Sequence, residues 1–365
     1  MRLLIFSDLH LDTGFRWAGQ DLARARRQAL RSTLERICEV AEEQGVDAIL
    51  SAGDLYEHER FSPDTAEFLR KTFADVGRRV FLAPGNHDWY GPRSLYRQVD
   101  WSQNVHVFTD DRLSPVELDD GISLWGAAHR APANTDGFLD GFAADRAGVN
   151  LALFHGSERS DFTWQETGKV AHAPFSASQV EQAGLIHAFV GHFHTPKDGA
   201  WHTYPGNPDP LSFGESGDRA AVVAEIGQDG AVTAIRHHVA TSKVSDVPVD
   251  VTGVTHSGEV RERVAAAIAS SEGIVRATLS GEVGPDVDIQ LSDLTGLGPH
   301  LEALVPRLGR VTVAYDFERL AQEPTVRGQF IREVQAADLD DDTRRRVLVT
   351  GLRALDGRAA ELEVH

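Results

Sequence analysis

Only one cysteine, Cys38, occurs in the 365 residues, so no internal disulfide can form and a thiolate-based zinc site is excluded. Lysine is nearly as scarce: four of the 36 basic residues are lysines and 32 are arginines. Against 55 Asp plus Glu they leave a formal charge of −19, which argues against a general nucleic-acid coat built on clustered basic side chains. No apolar run approaches the ~18 residues of a membrane-spanning helix. The opening MRLLIFSDLH turns polar too quickly for a signal peptide. Internal repeats and low-complexity segments are absent too. The expectation is a soluble, cytoplasmic protein with no membrane association. What is present is ordinary for a globular chain: 41% apolar and 25% charged residues, so the charge sits on a folded surface. At about 150 residues per domain the length suggests two or three domains.

The first 90 residues alternate apolar runs with amphipathic stretches, the pattern of βαβ units. Leu3 to Ser7, Val46 to Ser51 and Val80 to Ala83 read as buried strands. From Leu22 through Leu30, Leu34, Ile37 and Val40 the apolar positions recur at helical spacing, with Gly45 placed to end the helix. Ser62 and Pro63 open a second helix as cap and first residue, and Gly77 closes it. Strands are expected at Ile122 to Trp125, Val149 to Phe154 and Ile186 to Val190, with Ser176 and Gln179 forming a capping box before a short helix. Ala220 to Ile226 and Ala231 to His238 read as a hairpin. After the polar stretch Thr241 to Asp246 a fresh β-α-β-α-β pattern begins: Val247 to Val251, a helix near Glu259 to Ala269, Ile274 to Leu279, a helix near Pro299 to Leu308, and Val311 to Tyr315. From Thr325 on there are two short amphipathic helical candidates, around Asp340 to Asp342 and Arg344 to Arg346, with too few apolar residues for a core of their own.

Five strands run into unusual polar residues: Asp8-Leu9-His10, Gly53-Asp54, Gly85-Asn86-His87-Asp88, His155-Gly156 and Gly191-His192-Phe193-His194. In a layered α/β sheet the C-terminal strand ends line one edge, where ligands bind. Carboxylate, imidazole and amide together suit manganese, iron or zinc. Seven candidate ligands, Asp8, His10, Asp54, Asn86, His155, His192 and His194, exceed what one four-coordinate ion takes, and a bridging carboxylate lets them serve a pair. Any one of these segments alone reads as a capped turn or a satisfied polar residue. Their occurrence in order, each at a strand end, carries the metal reading. The remaining histidines, such as His58, His106 and His237, follow no such rule.

The order D-x-H, G-D, G-N-H-D, H-G, G-H-x-H resembles the calcineurin-like metallophosphoesterases over roughly residues 1 to 240. The opening S-D-L-H-L-D-T-G-F, the G-D-L-Y, and Tyr204-Pro205-Gly206-Asn207-Pro208 through Ser212-Phe213-Gly214-Glu215 resemble the SbcD-type DNA repair nucleases. The resemblance implies an α/β fold: a four-layer β-sandwich flanked by helices over 1–240, a small α/β capping domain over 245–320 and a helical, partner-binding tail over 325–365. It implies one metal held by Asp8, His10, Asp54 and His194 and another by Asp54, Asn86, His155 and His192, with Asp54 as the bridge. His87 would contact the scissile phosphate and protonate the leaving oxygen, with Asp88 orienting its imidazole. Two divalent ions, manganese first and iron or zinc as alternatives, are the implied cofactors. DNA, an SbcC-like coiled-coil ATPase and a second copy of the chain are the implied partners, which would place the protein at the nucleoid.

The pattern departs from the resemblance at Glu57, where archaeal nucleases of this type carry a histidine three residues after the bridging aspartate; here His58 follows it. Arg16, Arg24, Arg26, Arg27 and Arg31 form the most basic stretch, readable equally as a solvated helix face or as a phosphate-tracking surface. Trp17, Trp89, Tyr90 and Trp101 lie near metal-loop segments and could stack on bases or pack the core. The expected activity is metal-dependent hydrolysis of DNA, as exonuclease, endonuclease or both, in DNA repair and recombination. The alternatives are a small-molecule phosphodiesterase or phosphatase acting on cyclic nucleotides or nucleotide sugars, and a non-enzymatic scaffold, which would be expected to lack ligands.

Overall fold

The first apolar run divides its side chains between two cores. In a computed structural model, which describes residues 1–159, 171–215, 217–227 and 229–357, strand β1 (Arg2–Phe6) sends Leu3 and Ile5 into one apolar cluster and Leu4 and Phe6 into another. A two-residue period does this whenever both faces of a sheet are covered. Helix α1 (Gln20–Glu43) buries Ala23, Leu30, Leu34, Ile37 and Val40 on one stripe, and the chain leaves it through Gly45 at φ +59°. Strand β2 (Ala48–Ser51) follows. Helix α2 (Pro63–Asp75) starts where expected, because the Ser62 hydroxyl accepts from the Thr65 N–H at 3.2 Å and Pro63 needs no donor there. Strand β3 (Arg79–Leu82), the single turn α3 (Leu95–Gln98) and strand β4 (Val105–Val107) complete this layer.

A second sheet begins with β5 (Ser114–Asp119), β6 (Ile122–Gly126) and β7 (Val149–His155). Helix α4 (Ala177–Gln182), opened by the Ser176–Gln179 capping box, leads to β8 (His187–Gly191), β9 (Lys197–Asp198) and β10 (His202–Tyr204). The hairpin β11 (Ala220–Ile226) and β12 (Val232–His238) returns to the first sheet. The strand orders are β12-β11-β1-β2-β3-β4 and β5-β6-β7-β8-β10-β9. Leu3, Ile5, Leu50 and Phe81 of the first sheet meet Leu124, Leu151, Leu153 and Phe189 of the second in one cluster. Outer clusters join the first sheet to α1 and α2 and the second to α4. The result is a helix–sheet–sheet–helix sandwich, in which each fully buried Leu, Ile or Phe contributes about 1.5–3 kcal/mol.

Met1–Val244 is one compact unit and Ser245–His365 a second. The second contains β13 (Val244–Asp250) from its second residue on, α5 (Ser257–Ile268), β14 (Ile274–Val283), β15 (Ala303–Val313), α6 (Phe317–Ala321), α7 (Val326–Ala336) and α8 (Asp341–Leu355). The helix expected near Pro299 to Leu308 does not form. Leu301, Leu304 and Leu308 have helical spacing, but Ala303 to Leu308 pair in parallel with Ile274 to Leu279. Pro306 sits on this edge strand, where a missing N–H is tolerated. The two short helical candidates of the tail are one helix, α8, preceded by the unforeseen α7. These helices share a core with the end of β15 and with α6, through Val313, Tyr315, Leu320, Ile331, Val334, Leu348 and Leu352. Residues 358–365 of the expected tail lie outside the described residues. Among the described residues no helix is long and apolar enough to cross a membrane.

Candidate metal centre

The parallel pairs β1–β2, β2–β3, β6–β7 and β7–β8 bring the C-terminal strand ends of both sheets to one edge. There the loops are laced together. The backbone N–H groups of Asp8 and His10 donate to the carbonyls of Gly53 and Asp54 at 2.9 Å each, continuing the β1–β2 ladder past the strands. Asp8, His10, Asp54 and His192 have φ of 54°, 50°, 52° and 111°, left-handed conformations that non-glycine residues adopt at a cost of order 1–3 kcal/mol and that cluster at functional sites. Gly53, at φ +93°, has no room for a side chain, since a Cβ would stand 2.7 Å from His155 Nδ1 and 2.8 Å from the Gly85 nitrogen.

This folding assembles three overlapping groups able to hold a cation: Asp8, His10 and His194; His10, Asp54 and His87; and Asp8, Asp54 and His155. Asp54 Oδ2 lies 3.6 Å from His10 Nε2 and 3.3 Å from His155 Nε2, and Asn86 Oδ1 lies 3.1 Å from the same His155 nitrogen. The His192 ring stands 5.2 Å from that of His155, and its backbone N–H donates to both oxygens of Asp8 at 3.1 Å. Six of the seven candidate ligands therefore meet through their side chains, and His192 adjoins them through its ring beside His155 and its backbone beside Asp8. The arrangement fits a metal for reasons internal to the site. A carboxylate accepts His10 Nδ1–H and the Ala52 carbonyl accepts His155 Nδ1–H, so in the neutral tautomers each Nε2 turns a lone pair inward. His10 Nε2 is buried with no hydrogen-bond partner, and His155 Nε2 faces two oxygen acceptors. Lone pairs converging in this way call for a cation between them. Burial alone would raise the Asp54 carboxyl, yet positive charge on His155, His87 and His10 when these rings are protonated holds it well below the usual carboxylate range, so the carboxylate favours a cation in either state of the imidazoles.

The residues behind the ligands differ from expectation. Asp88 does not orient the His87 imidazole. Its Oδ1 accepts from the N–H groups of Gly85 and Asp54, and its Oδ2 from the Leu55 N–H and the Tyr96 hydroxyl, so the carboxylate folds under its own loop. Burial, then the charge of Asp54, pushes it up to about 6. The His87 ring instead donates from Nδ1 to Glu57 at 3.1 Å, and the same carboxylate accepts from His10 Nδ1 at 2.8 Å. Burial raises Glu57, but these two bonds bring it down to about 2. His87, lowered by burial and raised by Glu57 and Asp54, ends at about 9. On the other side Glu215 accepts from His194 Nδ1 at 2.9 Å.

The profile of the calcineurin-like phosphoesterases matches residues 1–196, more than half of the chain. The chain belongs to this family. Over 235 residues this phosphoesterase is 26% identical to the uncharacterized metallophosphoesterase YhaO of Bacillus subtilis, covering 60% of the chain and 56% of that protein. It is 25% identical over 298 residues to the DNA double-strand break repair protein Mre11 of Methanopyrus kandleri, covering 72% of the chain and 62% of that protein. To the DNA double-strand break repair protein Mre11 of Haloferax volcanii it is 26% identical over 340 residues, covering 90% of the chain and 70% of that protein. The chain thus spans less than two thirds of the first two relatives' length.

The expected DNA contacts of this phosphoesterase are dispersed. Arg16 lines a cavity of about 270 Å³ together with Trp17, Arg60, Leu211 and Glu57, so this cavity adjoins the centre through Glu57. Arg24 pairs with Asp21 on the exposed face of α1, Arg31 with Asp64, and Arg26 is buried in an ion pair with Asp209. Arg27 is half-buried. Trp89 stacks on His58 with ring centroids 3.9 Å apart, and the guanidinium groups of Arg97 and Arg130 stand over the Tyr90 ring at 5.8 and 5.7 Å. Trp17 and Trp101 spend their indole N–H on the carbonyls of Leu211 and Tyr96. The sequence reading assigned no role to Glu215, Asn207 or Arg219. The signal available for Glu215 was its place in the Ser212-to-Glu215 stretch already singled out; the others close only through the fold.

Proposed function

We propose that the chain is a metal-dependent phosphodiesterase that hydrolyses DNA. The observation that carries the hydrolytic part is the convergence of Asp8, His10, Asp54, Asn86, His155 and His194 around inward-facing imidazole lone pairs. Asp8, His10, Asp54 and His194 would hold one divalent ion and Asp54, Asn86, His155 and His192 another, manganese being the first candidate. Ions held there supply positive charge to the phosphoryl oxygens and acidify a water for in-line attack. Asp54 spans both groups. His87, whose side chain is 45% exposed, reaches the phosphate from the open side and donates a proton to the departing oxygen. DNA as the substrate is supported by the two Mre11 relatives, whose matches run beyond the family core, and by the arginines of the cavity beside Glu57. An SbcC-like ATPase and a second copy of the chain are proposed as partners on the resemblance alone.

A small-molecule phosphodiesterase is the second reading, favoured by the −19 charge. Turnover of duplex and single-stranded DNA, cyclic nucleotides and bis(p-nitrophenyl) phosphate, compared side by side with manganese, decides between them. DNA cleavage that is abolished by chelation supports the proposal. Intact DNA with rapid cyclic-nucleotide turnover overturns it.

A further inference from the structure

Glu57 occupies the turn after β2, three residues beyond Asp54. Its two oxygens go to different imidazoles: Oε1 accepts from His10 Nδ1 at 2.8 Å and Oε2 from His87 Nδ1 at 3.1 Å. The two rings stand edge to face with centroids 4.7 Å apart. One belongs to the buried cluster, with a 4% exposed side chain, and the other is 45% exposed at its mouth. The backbone around Glu57 is fixed to the same two neighbourhoods. Its N–H donates to the Leu11 carbonyl at 2.9 Å, one residue past His10, and the His58 N–H donates to the His87 carbonyl at 3.0 Å.

A carboxylate only accepts, so both Nδ1 atoms carry the hydrogen. That leaves His10 Nε2 as a lone-pair donor to a cation and leaves His87 Nε2 free for the phosphate. An imidazole as exposed as His87 has little packing to hold its rotamer, and Asp88, the adjacent carboxylate, is committed to Gly85, Asp54, Leu55 and Tyr96. We propose that Glu57 is a positioning residue that braces His10 and His87 on one carboxylate, so that seating a metal at His10 also sets the orientation of His87. The proposal rests on the reading that the Asp54 cluster holds metal and that His87 faces phosphate.

The test compares full-length wild type with Glu57→Ala and Glu57→Gln, and repeats Glu57→Ala in a His87→Ala background. Gln is isosteric and can accept from one imidazole only, so it also guards against loss of fold in the Ala variant. Three quantities are read: manganese affinity by calorimetry, kcat and KM on bis(p-nitrophenyl) phosphate, and the Nδ1 signals of ¹⁵N-labelled histidine with and without magnesium. Glu57→Ala is expected to lose 10–100-fold in kcat with KM little changed and to weaken manganese binding, the range for groups that orient metal ligands. The magnesium-induced change in the His87 signal should vanish. In the His87→Ala background the kcat loss should shrink several-fold, because one of the two braced rings is gone. Wild-type kcat and metal affinity in both Glu57 variants, or an equal loss with and without His87, overturns the brace. A wild type that binds no manganese and turns over no diester overturns the underlying reading of the centre instead.

Discussion

The Arg26 guanidinium and the Asp209 carboxylate meet at 2.5 Å inside the first unit, and neither side chain is exposed. Asp209 also accepts from the Thr33 hydroxyl at 2.9 Å and from the N–H groups of Thr241 and Ser242 at 2.9 and 3.1 Å. One carboxylate therefore ties α1 to the loop after β10 and to the chain after β12. Removing one partner of a buried pair strands the other charge, so Asp209→Ala is expected to destabilise the first unit by about 3–5 kcal/mol. Replacing both partners with apolar residues of similar volume should cost less. Urea denaturation checks this, and a loss under about 1 kcal/mol for the single variant would contradict it.

The same pair shows what is legible in sequence and what is not. Arg26 looks like its neighbours Arg24 and Arg27, but it falls on the helical stripe of Ala23, Leu30 and Leu34, and that spacing is the one local sign that it is buried. Its partner lies 183 residues away, beyond any local signal. The five metal-loop segments are legible because strand ends and their polar residues are local features, and parallel pairing then collects them at one edge. Caps such as Ser62 and Ser176 are legible for the same reason. The resemblance misleads at Asp88, to which it gives the orienting of His87, whereas Tyr96 and the Gly85 loop take that carboxylate. Local spacing misleads over 299–308, where helical spacing of leucines yields to pairing with β14.

Asp54 belongs to two of the three candidate cation groups and touches both His10 and His155. Asp54→Ala is expected to empty both proposed metal positions, whereas His87→Asn should leave the metal content as it is and lower the rate by about 10²-fold or more, the contribution of a positioned acid. Elemental analysis of the purified variants, alongside diester turnover, tests the pair. Two ions per chain in Asp54→Ala would remove the bridging role, and unchanged turnover in His87→Asn would remove the acid.

His194 is held from behind as firmly as His10. Glu215 accepts from its Nδ1, and the other Glu215 oxygen accepts from the Asn207 side chain and the Leu211 N–H at 2.7 Å each. Arg219 closes the ring by donating to the His194 carbonyl at 2.7 Å and to Asn207 Oδ1 at 2.6 Å. Burial raises Glu215, but the His194 bond brings it down to about 2. Glu215→Ala is expected to weaken metal binding 10–100-fold. Manganese titration followed by calorimetry would show it, and wild-type affinity would mean that the rest of the ring holds His194 unaided.

Away from the centre, acid should destabilise the fold through His187. Its Nε2 bonds to the Thr203 hydroxyl at 3.0 Å beside a cavity of about 330 Å³. Burial, then the neighbouring His202, brings His187 down to about 4, against a weak opposing pull from Asp198. An unfolded histidine titrates near 6.5. Above that pH both states are neutral and the residue adds no pH dependence. Between 6.5 and 4 only the unfolded chain takes the proton, so stability falls as pH falls, and below 4 the contribution levels off. At about 1.4 kcal/mol per unit, the full loss is on the order of 3 kcal/mol. Denaturation midpoints of the chelator-treated protein across this range, for wild type and His187→Gln, isolate the contribution from metal release. The variant should show the shallower slope, and equal slopes would mean that His187 takes its proton in the folded state without strain.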